Sequence, residues 1–299
     1  MKYEKVKSDE IHIPFSAPVT VTEMGNITEV QYMSRLNQEA RTIKLSDDEY
    51  MVVETGEVKE YGKKSDTRNE SKNSIRKTMK RIRQLVQTNI TDIKNIRWVT
   101  LTYRENMTDT KRLYDDFRKF NQRFCHHLIS CGMEKPEYIA VAEPQQRGAW
   151  HLHVLYIWNH PAPYINNDAF AKLWKHGFTK TKALKDNNIA NYLISYLTDL
   201  DIAPELKDYF PENILKETDG NQNKKSIVKG MRLNLYPANF NIVRCSRNIK
   251  KPQKRIMTYK DALALVSQKR LSYQTTFRMS DEKGFSSIVD KKEYITISK

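Results

Sequence analysis

The chain has 299 residues and a formal net charge of +15 at pH 7, with a pI near 9.5. Hydrophobic residues make up 39% of it, which is enough for a globular core, and no apolar run approaches the roughly 18 residues of a membrane-spanning helix. The three cysteines lack C-x-x-C spacing, which argues against a disulfide framework or a zinc finger. The positive charge favours a polyanionic partner, either nucleic acid or an anionic membrane surface.

Residues 1–67 alternate short apolar runs with polar residues and predict an N-terminal β-rich appendage or arm. A polar break around 66–72 marks a boundary. Residues 71–88 then predict an amphipathic helix, because Ile75, Met79 and Ile82 keep helical spacing. No acidic residue lies between Ser71 and Thr91, so this helix is either a solvated face or a DNA-contacting one. Its cations are Lys72, Arg76, Lys77, Lys80, Arg81 and Arg83.

The next predicted elements are a strand and a long helix. Residues 96–103 are rich in β-formers and predict a strand in which Thr100 and Thr102 share one face. A helix is expected from Asp109 to about residue 130, with a buried stripe one turn apart at each step. The stripe consists of Leu113, Phe117, Phe120, Phe124 and Leu128.

Two further strands are expected at Tyr138–Glu143 and Trp150–Ile157, joined by a polar turn that contains Gly148. A hairpin about this turn would place Glu143 opposite His151, with His153 on the same face. Two imidazoles and one carboxylate with open coordination positions form a candidate metal site. The alternative is that the histidines pack structurally and Glu143 is a solvated strand end.

Downstream, a helix beginning near Asn167 or Asp168 is expected to end at Gly177. Another helix follows Asn188, with Ile189, Leu193 and Leu197 as its buried stripe. Tyr192 and Tyr196 lie one turn apart on this helix, either as packing residues or as phenol nucleophiles for a phosphodiester. Further strands are expected at residues 229–233 and 241–244, and residues 251–299 form a C-terminal accessory region with a short helix and strand-like stretches.

Taken in this order, three motifs resemble the HUH endonuclease superfamily, specifically the two-tyrosine rolling-circle replication initiators of phages and plasmids. They are Val99–Tyr103, Glu143 with His151-Leu152-His153, and Tyr192–Tyr196, and the resemblance covers roughly residues 70–250. One feature departs from the family pattern. The family usually carries a lysine three residues after a tyrosine, but Ser195 and Asp199 stand at those positions. The phosphate-neutralising group is therefore open among Lys185, Arg244 and Arg247.

The resemblance implies an α+β fold in which a central antiparallel sheet carries flanking helices, with residues 68–250 as the catalytic domain. It implies site-specific nicking and rejoining of single-stranded DNA through a 5′-phosphotyrosine, with Mg²⁺ or Mn²⁺ on Glu143, His151 and His153 and with Tyr192 and Tyr196 as nucleophiles. The expected DNA-binding residues are Arg76, Lys77, Lys80, Arg81, Arg83, Thr100, Thr102, Arg147, Arg244 and Arg247.

The implied partners are single-stranded or hairpin origin DNA, a host helicase and a host DNA polymerase, in the cytoplasm of a bacterial host. A separate helicase is expected because no phosphate-binding loop for ATP occurs in the chain. Two rival functions stay open. One is a transposase or relaxase of the same superfamily, and the other is a basic DNA-binding protein without catalysis.

Overall fold

A computed structural model describes residues 2–8, 11–36, 42–46, 48–53, 55–61, 72–182, 189–198, 200–202, 214–218, 224–228, 231–282 and 284–297. The chain divides into two compact units. One consists of residues 1–64 together with 252–299, and the other of residues 65–251. None of the helices among the described residues is both long enough and apolar enough to cross a membrane.

The structure contains α-helices and antiparallel β-sheets in both units. The strands are β1 (Lys2–Lys5), β2 (Pro18–Met24), β3 (Ile27–Met33), β4 (Thr42–Lys44), β5 (Glu49–Val52), β6 (Val58–Glu60), β7 (Ile96–Thr102), β8 (Glu137–Pro144), β9 (Trp150–Ile157), β10 (Thr179–Lys182), β11 (Leu200–Ile202), β12 (Ile214–Thr218), β13 (Lys224–Val228), β14 (Val243–Cys245), β15 (Gln253–Thr258), β16 (Lys269–Ser280) and β17 (Ser286–Thr296). The helices are α1 (Lys72–Asn89), α2 (Thr110–Ser130), α3 (Asn167–Trp174), α4 (Ile189–Thr198) and α5 (Tyr259–Val266).

The unit of residues 65–251 is organised around a five-stranded sheet in the order β10-β7-β9-β8-β14, with every neighbouring pair antiparallel. Strands β8 and β9 are buried almost throughout, which explains their nearly continuous apolar sequence. Helix α2 covers one face, where Phe124 lies 4.7 Å from Tyr156 between ring centroids. The α+β prediction with a central antiparallel sheet is confirmed.

Helix α2 is the longest helix among the described residues, and its limits follow from its sequence. The Asp109 side chain accepts hydrogen bonds from the backbone N–H groups of Lys111 and Arg112, so it caps the N-terminus. All five residues of the predicted stripe are buried. Gly132 follows the last turn with φ of 71°, a conformation that glycine adopts without strain.

Helix α1 confirms the amphipathic prediction. Ile75 and Ile82 are buried in the core of this unit, while Arg76, Lys77 and Lys80 are exposed. Because the apolar stripe faces the core, most of the predicted cations face outward. Helix α1 contacts α4, so the basic surface adjoins the helix that carries the two tyrosines.

The predicted end of α3 at Gly177 is wrong, and the glycine has a different role. The helix ends at Trp174, and Lys175 takes the left-handed conformation with φ of 69°. A Cβ on Gly177 would lie 2.2 Å from the backbone oxygen of Thr102. The loop after α3 therefore packs directly onto the end of β7, and only a residue without a side chain fits there.

Two other features of this unit differ from the prediction. The strand expected at 229–233 is wrong where it is described, because Met231–Leu235 forms a 3₁₀ helix with Leu233 in the core; residues 229 and 230 lie outside the described part. A small sheet in the order β11-β13-β12 occurs where the sequence predicts only polar connections. Its strands are short and lack strong apolar alternation, which explains why the pattern gave no signal.

The other unit joins the two ends of the chain. Its main sheet has the order β1-β16-β17-β3-β2-β15, and α5 packs on it through Ala262 and Val266. A second sheet has the order β4-β5-β6. The sequence analysis treats residues 1–67 and 251–299 as separate appendages, whereas β17 pairs with β3 and β15 with β2. Strand pairing over more than 200 residues leaves no local pattern in the sequence.

Candidate active site

The hairpin β8–β9 adopts the predicted register. Glu143 lies directly opposite His151, and Val141 lies opposite His153. On the other side of β9, strand β7 places Thr102 opposite His151 and Thr100 opposite His153. Because directly paired residues share a face, one carboxylate, two imidazoles and two hydroxyls come together on the face of the sheet opposite α2.

Glu143 and His153 are in direct hydrogen-bond contact through Oε2 and Nε2. The other ring nitrogen of His153, Nδ1, lies 3.3 Å from Trp98 Nε1 and 3.2 Å from Thr100 Oγ1. An indole N–H only donates, so Nδ1 accepts the hydrogen bond from Trp98. The proton of neutral His153 therefore resides on Nε2, which donates it to the Glu143 carboxylate.

A cation that sequence analysis missed completes this arrangement. Nη1 of Arg232 lies 2.7 Å from Oε1 of Glu143 and 2.7 Å from the backbone oxygen of Pro144. The side chains of Arg232 and Glu143 are only 11% and 7% exposed, so this is a buried ion pair. The 3₁₀ helix positions it, since Leu233 anchors that turn in the core. The one sequence signal was a single arginine between two apolar residues.

Neither described candidate for the missing lysine lies near Glu143. Arg244 pairs with Ala140 in the sheet, which places its side chain on the α2 face, over the ring of Tyr114 at 4.2 Å. Arg247 is exposed in the turn after β14. Lys185 lies outside the described residues. Arg232 is thus the described cation that meets the carboxylate.

The electrostatics of the site keep Glu143 charged and His151 neutral. Burial alone would raise the pKa of Glu143, but the hydrogen bond from His153 and the charges of His153 and Arg232 outweigh burial and lower that pKa. Burial lowers the pKa of His151 to about 4, against an opposing pull from Glu143. At neutral pH His151 is therefore an uncharged imidazole with a free lone pair.

Two buried polar atoms at this site have no hydrogen-bond partner within the described part of the chain. They are Nε2 of His151 and Oγ1 of Thr102, which belong to directly opposed residues. Buried polar atoms are rarely left unsatisfied, and an unsatisfied pair beside a carboxylate fits a bound ligand or cation. The donor set, two imidazoles and one carboxylate, also suits Mg²⁺ or Mn²⁺ in kind.

The three predicted ligands do not form a ready-made metal cage. Among the described residues, no group of three or more His, Cys, Asp or Glu is arranged to hold a metal ion. Glu143 and His153 touch each other, and Arg232 holds the second carboxylate oxygen. Any cation would have to replace these contacts with its own.

Helix α4 brings the tyrosine motif to the same sheet. It contacts β8, the 3₁₀ helix of Arg232 and α1. Its predicted stripe is confirmed, since Ile189, Leu193 and Leu197 are buried. The side chains of Tyr192 and Tyr196 lie outside the described residues, so their assignment as nucleophiles stays a prediction. Their positions are four apart on the helix and share one face.

The remaining predicted DNA-binding residues lie on the surface around these elements. Arg147 is exposed in the β8–β9 turn, where its Nε lies 3.3 Å from Oε1 of Gln145. On α1, Arg76, Lys77, Lys80 and Arg81 are exposed and Arg83 is half-buried.

Comparison with known proteins gives one match. Residues 96–201 match the family model of the replication-associated proteins of the ORF2 type. The matched range runs from β7 through the β8–β9 hairpin to α4, and therefore includes all three motifs. No curated protein and no solved structure matches the chain. In this range the chain is similar to replication-associated proteins.

Proposed function

We propose that this protein initiates rolling-circle DNA replication by nicking and rejoining single-stranded origin DNA through a 5′-phosphotyrosine. The observation that carries the proposal is the meeting of Glu143, His151 and His153 on one face of a sheet, with the tyrosine-bearing helix packed against the same sheet. The similarity to replication-associated proteins over residues 96–201 supports the replication role.

Glu143, His151 and His153 would hold a divalent ion, Mg²⁺ or Mn²⁺. Such an ion offsets the charge of a scissile phosphate and orients it for in-line attack. Ion binding at His153 Nε2 requires the ring proton on Nδ1, the reverse of the tautomer that donates to Glu143. Thr100 Oγ1, 3.2 Å from Nδ1, is the acceptor that would stabilise this second tautomer.

Tyr196 or Tyr192 attacks the phosphorus atom in this proposal. The phenolic proton is released, the tyrosine oxygen bonds to phosphorus, and the bond from phosphorus to the 3′ oxygen breaks. The 3′ oxygen takes up a proton, which leaves a 3′-OH that a host polymerase extends behind a host helicase. The phosphotyrosyl bond conserves the energy for rejoining, and a second phenol one turn away allows a second cut.

The basic surface of the same unit supplies the affinity for DNA. Nearly all of the excess positive charge of the chain lies within residues 65–251. Each phosphate contact by the exposed cations of α1 adds salt-dependent affinity. Because α1 contacts α4, DNA bound along α1 reaches the helix of the proposed nucleophiles.

Covalent adduct formation tests this function. The protein is incubated with Mn²⁺ and 5′- or 3′-labelled single-stranded DNA carrying the origin, and adducts are separated under denaturing conditions. We expect an adduct on the 5′ side of the nick that is lost in Tyr192→Phe/Tyr196→Phe and in His151→Ala/His153→Ala. Tyr164→Phe is the matched control, because Tyr164 is highly exposed and lies on the segment between β9 and α3. An adduct that persists in the double phenylalanine variant refutes the nucleophile assignment.

A non-catalytic DNA-binding protein is the second candidate, and one observation favours it. Both oxygens of Glu143 already have partners, His153 and Arg232, so the cluster is self-sufficient as a buried structural network. Binding of origin DNA without any adduct, in the presence of Mn²⁺, would establish this alternative.

A further inference from the structure

A groove of about 870 Å³ lies on the face of the sheet away from Glu143. Helix α2 forms one wall, and the segment Pro237–Asn241 with Arg244 forms the other. Tyr138 lines it from the sheet and points to the α2 face, since it alternates with the residues that face the candidate active site. The volume lies within the range of about 300–1,000 Å³ that is typical of ligand pockets.

A stacked column of aromatic rings runs to the surface of this groove. Trp150 stacks on Phe240 with a centroid distance of 4.6 Å, and Phe240 stacks on Tyr114 at 5.7 Å. The guanidinium of Arg244 covers Tyr114 at 4.2 Å. The Tyr114 hydroxyl donates a hydrogen bond to the backbone oxygen of Asn241, which fixes the ring. The column therefore presents an exposed, oriented guanidinium plane, a surface on which nucleobases stack.

The polar groups of the groove match a nucleotide chain. Lys111, Arg118 and Arg244 supply three cations, against one carboxylate, Asp115, which lies 3.4 Å from Arg118. Asn121 accepts a hydrogen bond from the buried Tyr156 hydroxyl, 3.0 Å away, so its amide orientation is fixed and its N–H₂ group remains to donate. Aromatic rings, amide groups and excess positive charge together suit bases and phosphates.

The shape of the groove favours a strand over a single nucleotide. Its lining on α2 runs from Thr110 to Gln122. At a rise of 1.5 Å per residue this is roughly 18 Å of helix, which is longer than one nucleotide. The stacking surface lies at the head of a narrow wall of side chains, where only unpaired bases can reach it.

We propose that this groove binds single-stranded DNA as a second site, on the opposite face of the sheet from the candidate active site. An unpaired base stacks on the Arg244–Tyr114 pair, and Lys111 and Arg118 contact flanking phosphates. The groove holds a part of the strand beyond the cut and adds affinity without touching the reacting phosphate. The choice of DNA as the nucleic acid rests on the proposed function.

Fluorescence anisotropy with a labelled oligothymidylate tests the groove, with EDTA present so that no strand cleavage contributes. We expect Arg244→Met and Arg118→Met each to weaken binding at least about fivefold, the equivalent of the lower end of base-stacking free energies. The slope of log affinity against log salt should fall by about 0.7 for each phosphate that the variant no longer binds. Lys119→Met is the matched control, because Lys119 neighbours Arg118 on α2, is exposed and does not line the groove.

The outcomes separate this proposal from the proposed function. Weaker binding by the two groove variants but not by Lys119→Met, with unchanged circular dichroism, supports the groove. Equal affinity in all three variants overturns it, as does binding of thymidine monophosphate without binding of the oligomer. Tighter groove-dependent binding of oligouridylate overturns the assignment to DNA. The adduct assay with Mn²⁺ is independent, so failure of one proposal leaves the other standing.

Discussion

Replacement of Arg232 by methionine tests the buried ion pair at the centre of the candidate site. The two side chains are 11% and 7% exposed, and Nη1 lies 2.7 Å from Oε1 of Glu143. Removing one partner of such a pair leaves a buried charge without compensation, which costs about 3–5 kcal/mol. We expect Arg232→Met to lower the free energy of unfolding of the 65–251 unit by this amount and to raise the pKa of Glu143.

Urea unfolding followed by tryptophan fluorescence measures this decrease. All four tryptophans, Trp98, Trp150, Trp158 and Trp174, lie within residues 65–251, so the signal reports this unit alone. Arg247→Met is the control for stability, because this exposed turn residue should change the free energy by no more than about 0.5 kcal/mol.

A double-mutant cycle shows whether the decrease comes from the stranded carboxylate. Glu143→Gln combined with Arg232→Met removes both charges, so the double variant should lose less stability than the sum of the two single variants. Mn²⁺ should restore stability to Arg232→Met more than to the wild type, because a bound cation neutralises Glu143 in place of the guanidinium. A decrease under about 1 kcal/mol in Arg232→Met, or additive single effects, would refute the reasoning.

Three further predictions concern the neighbours of this pair. Thr100→Val removes the acceptor of the metal-binding His153 tautomer and should weaken Mn²⁺ binding by about 10–100-fold by calorimetry, whereas unchanged affinity would contradict the role of Thr100. Gly177→Ala places a Cβ 2.2 Å from the Thr102 backbone oxygen and should destabilise the unit by about 1–3 kcal/mol in the same urea assay; wild-type stability would show that the loop moves freely. The lowered pKa of His151, about 4, means that the unfolded chain takes up the proton first on acidification, so its stabilising contribution is complete above about pH 6.5 and is lost as pH falls toward 4. Unfolding free energies of the wild type should therefore fall more steeply across this range than those of His151→Gln, and parallel curves would count against the burial of His151.

Local patterns in the sequence predicted the parts of the fold that local physics determines. The stripe of α2, the apolar face of α1 and the β8–β9 register all follow from periodicity and from a single turn with Gly148. The register matters most for function, since it brings Glu143 opposite His151. A shift of one residue would have moved the carboxylate to the other face.

The features that sequence analysis missed depend on contacts between distant segments. Arg232 reaches Glu143 across 89 positions of the chain through a 3₁₀ turn that periodicity does not reveal. Gly177 reads as a helix stop, although its real constraint is the backbone of Thr102 in another strand. The sheet that unites both ends of the chain likewise depends on long-range pairing of β17 with β3.

The central claim is that Glu143, His151 and His153 hold one divalent ion beside the tyrosine helix. Pulsed electron paramagnetic resonance of the Mn²⁺-loaded protein, with ¹⁵N-labelled histidine, measures this directly. We expect hyperfine coupling from two imidazole nitrogens, reduced to one in His151→Ala and in His153→Ala. Mn²⁺ bound without any histidine coupling, or with coupling that both variants retain, would contradict the account.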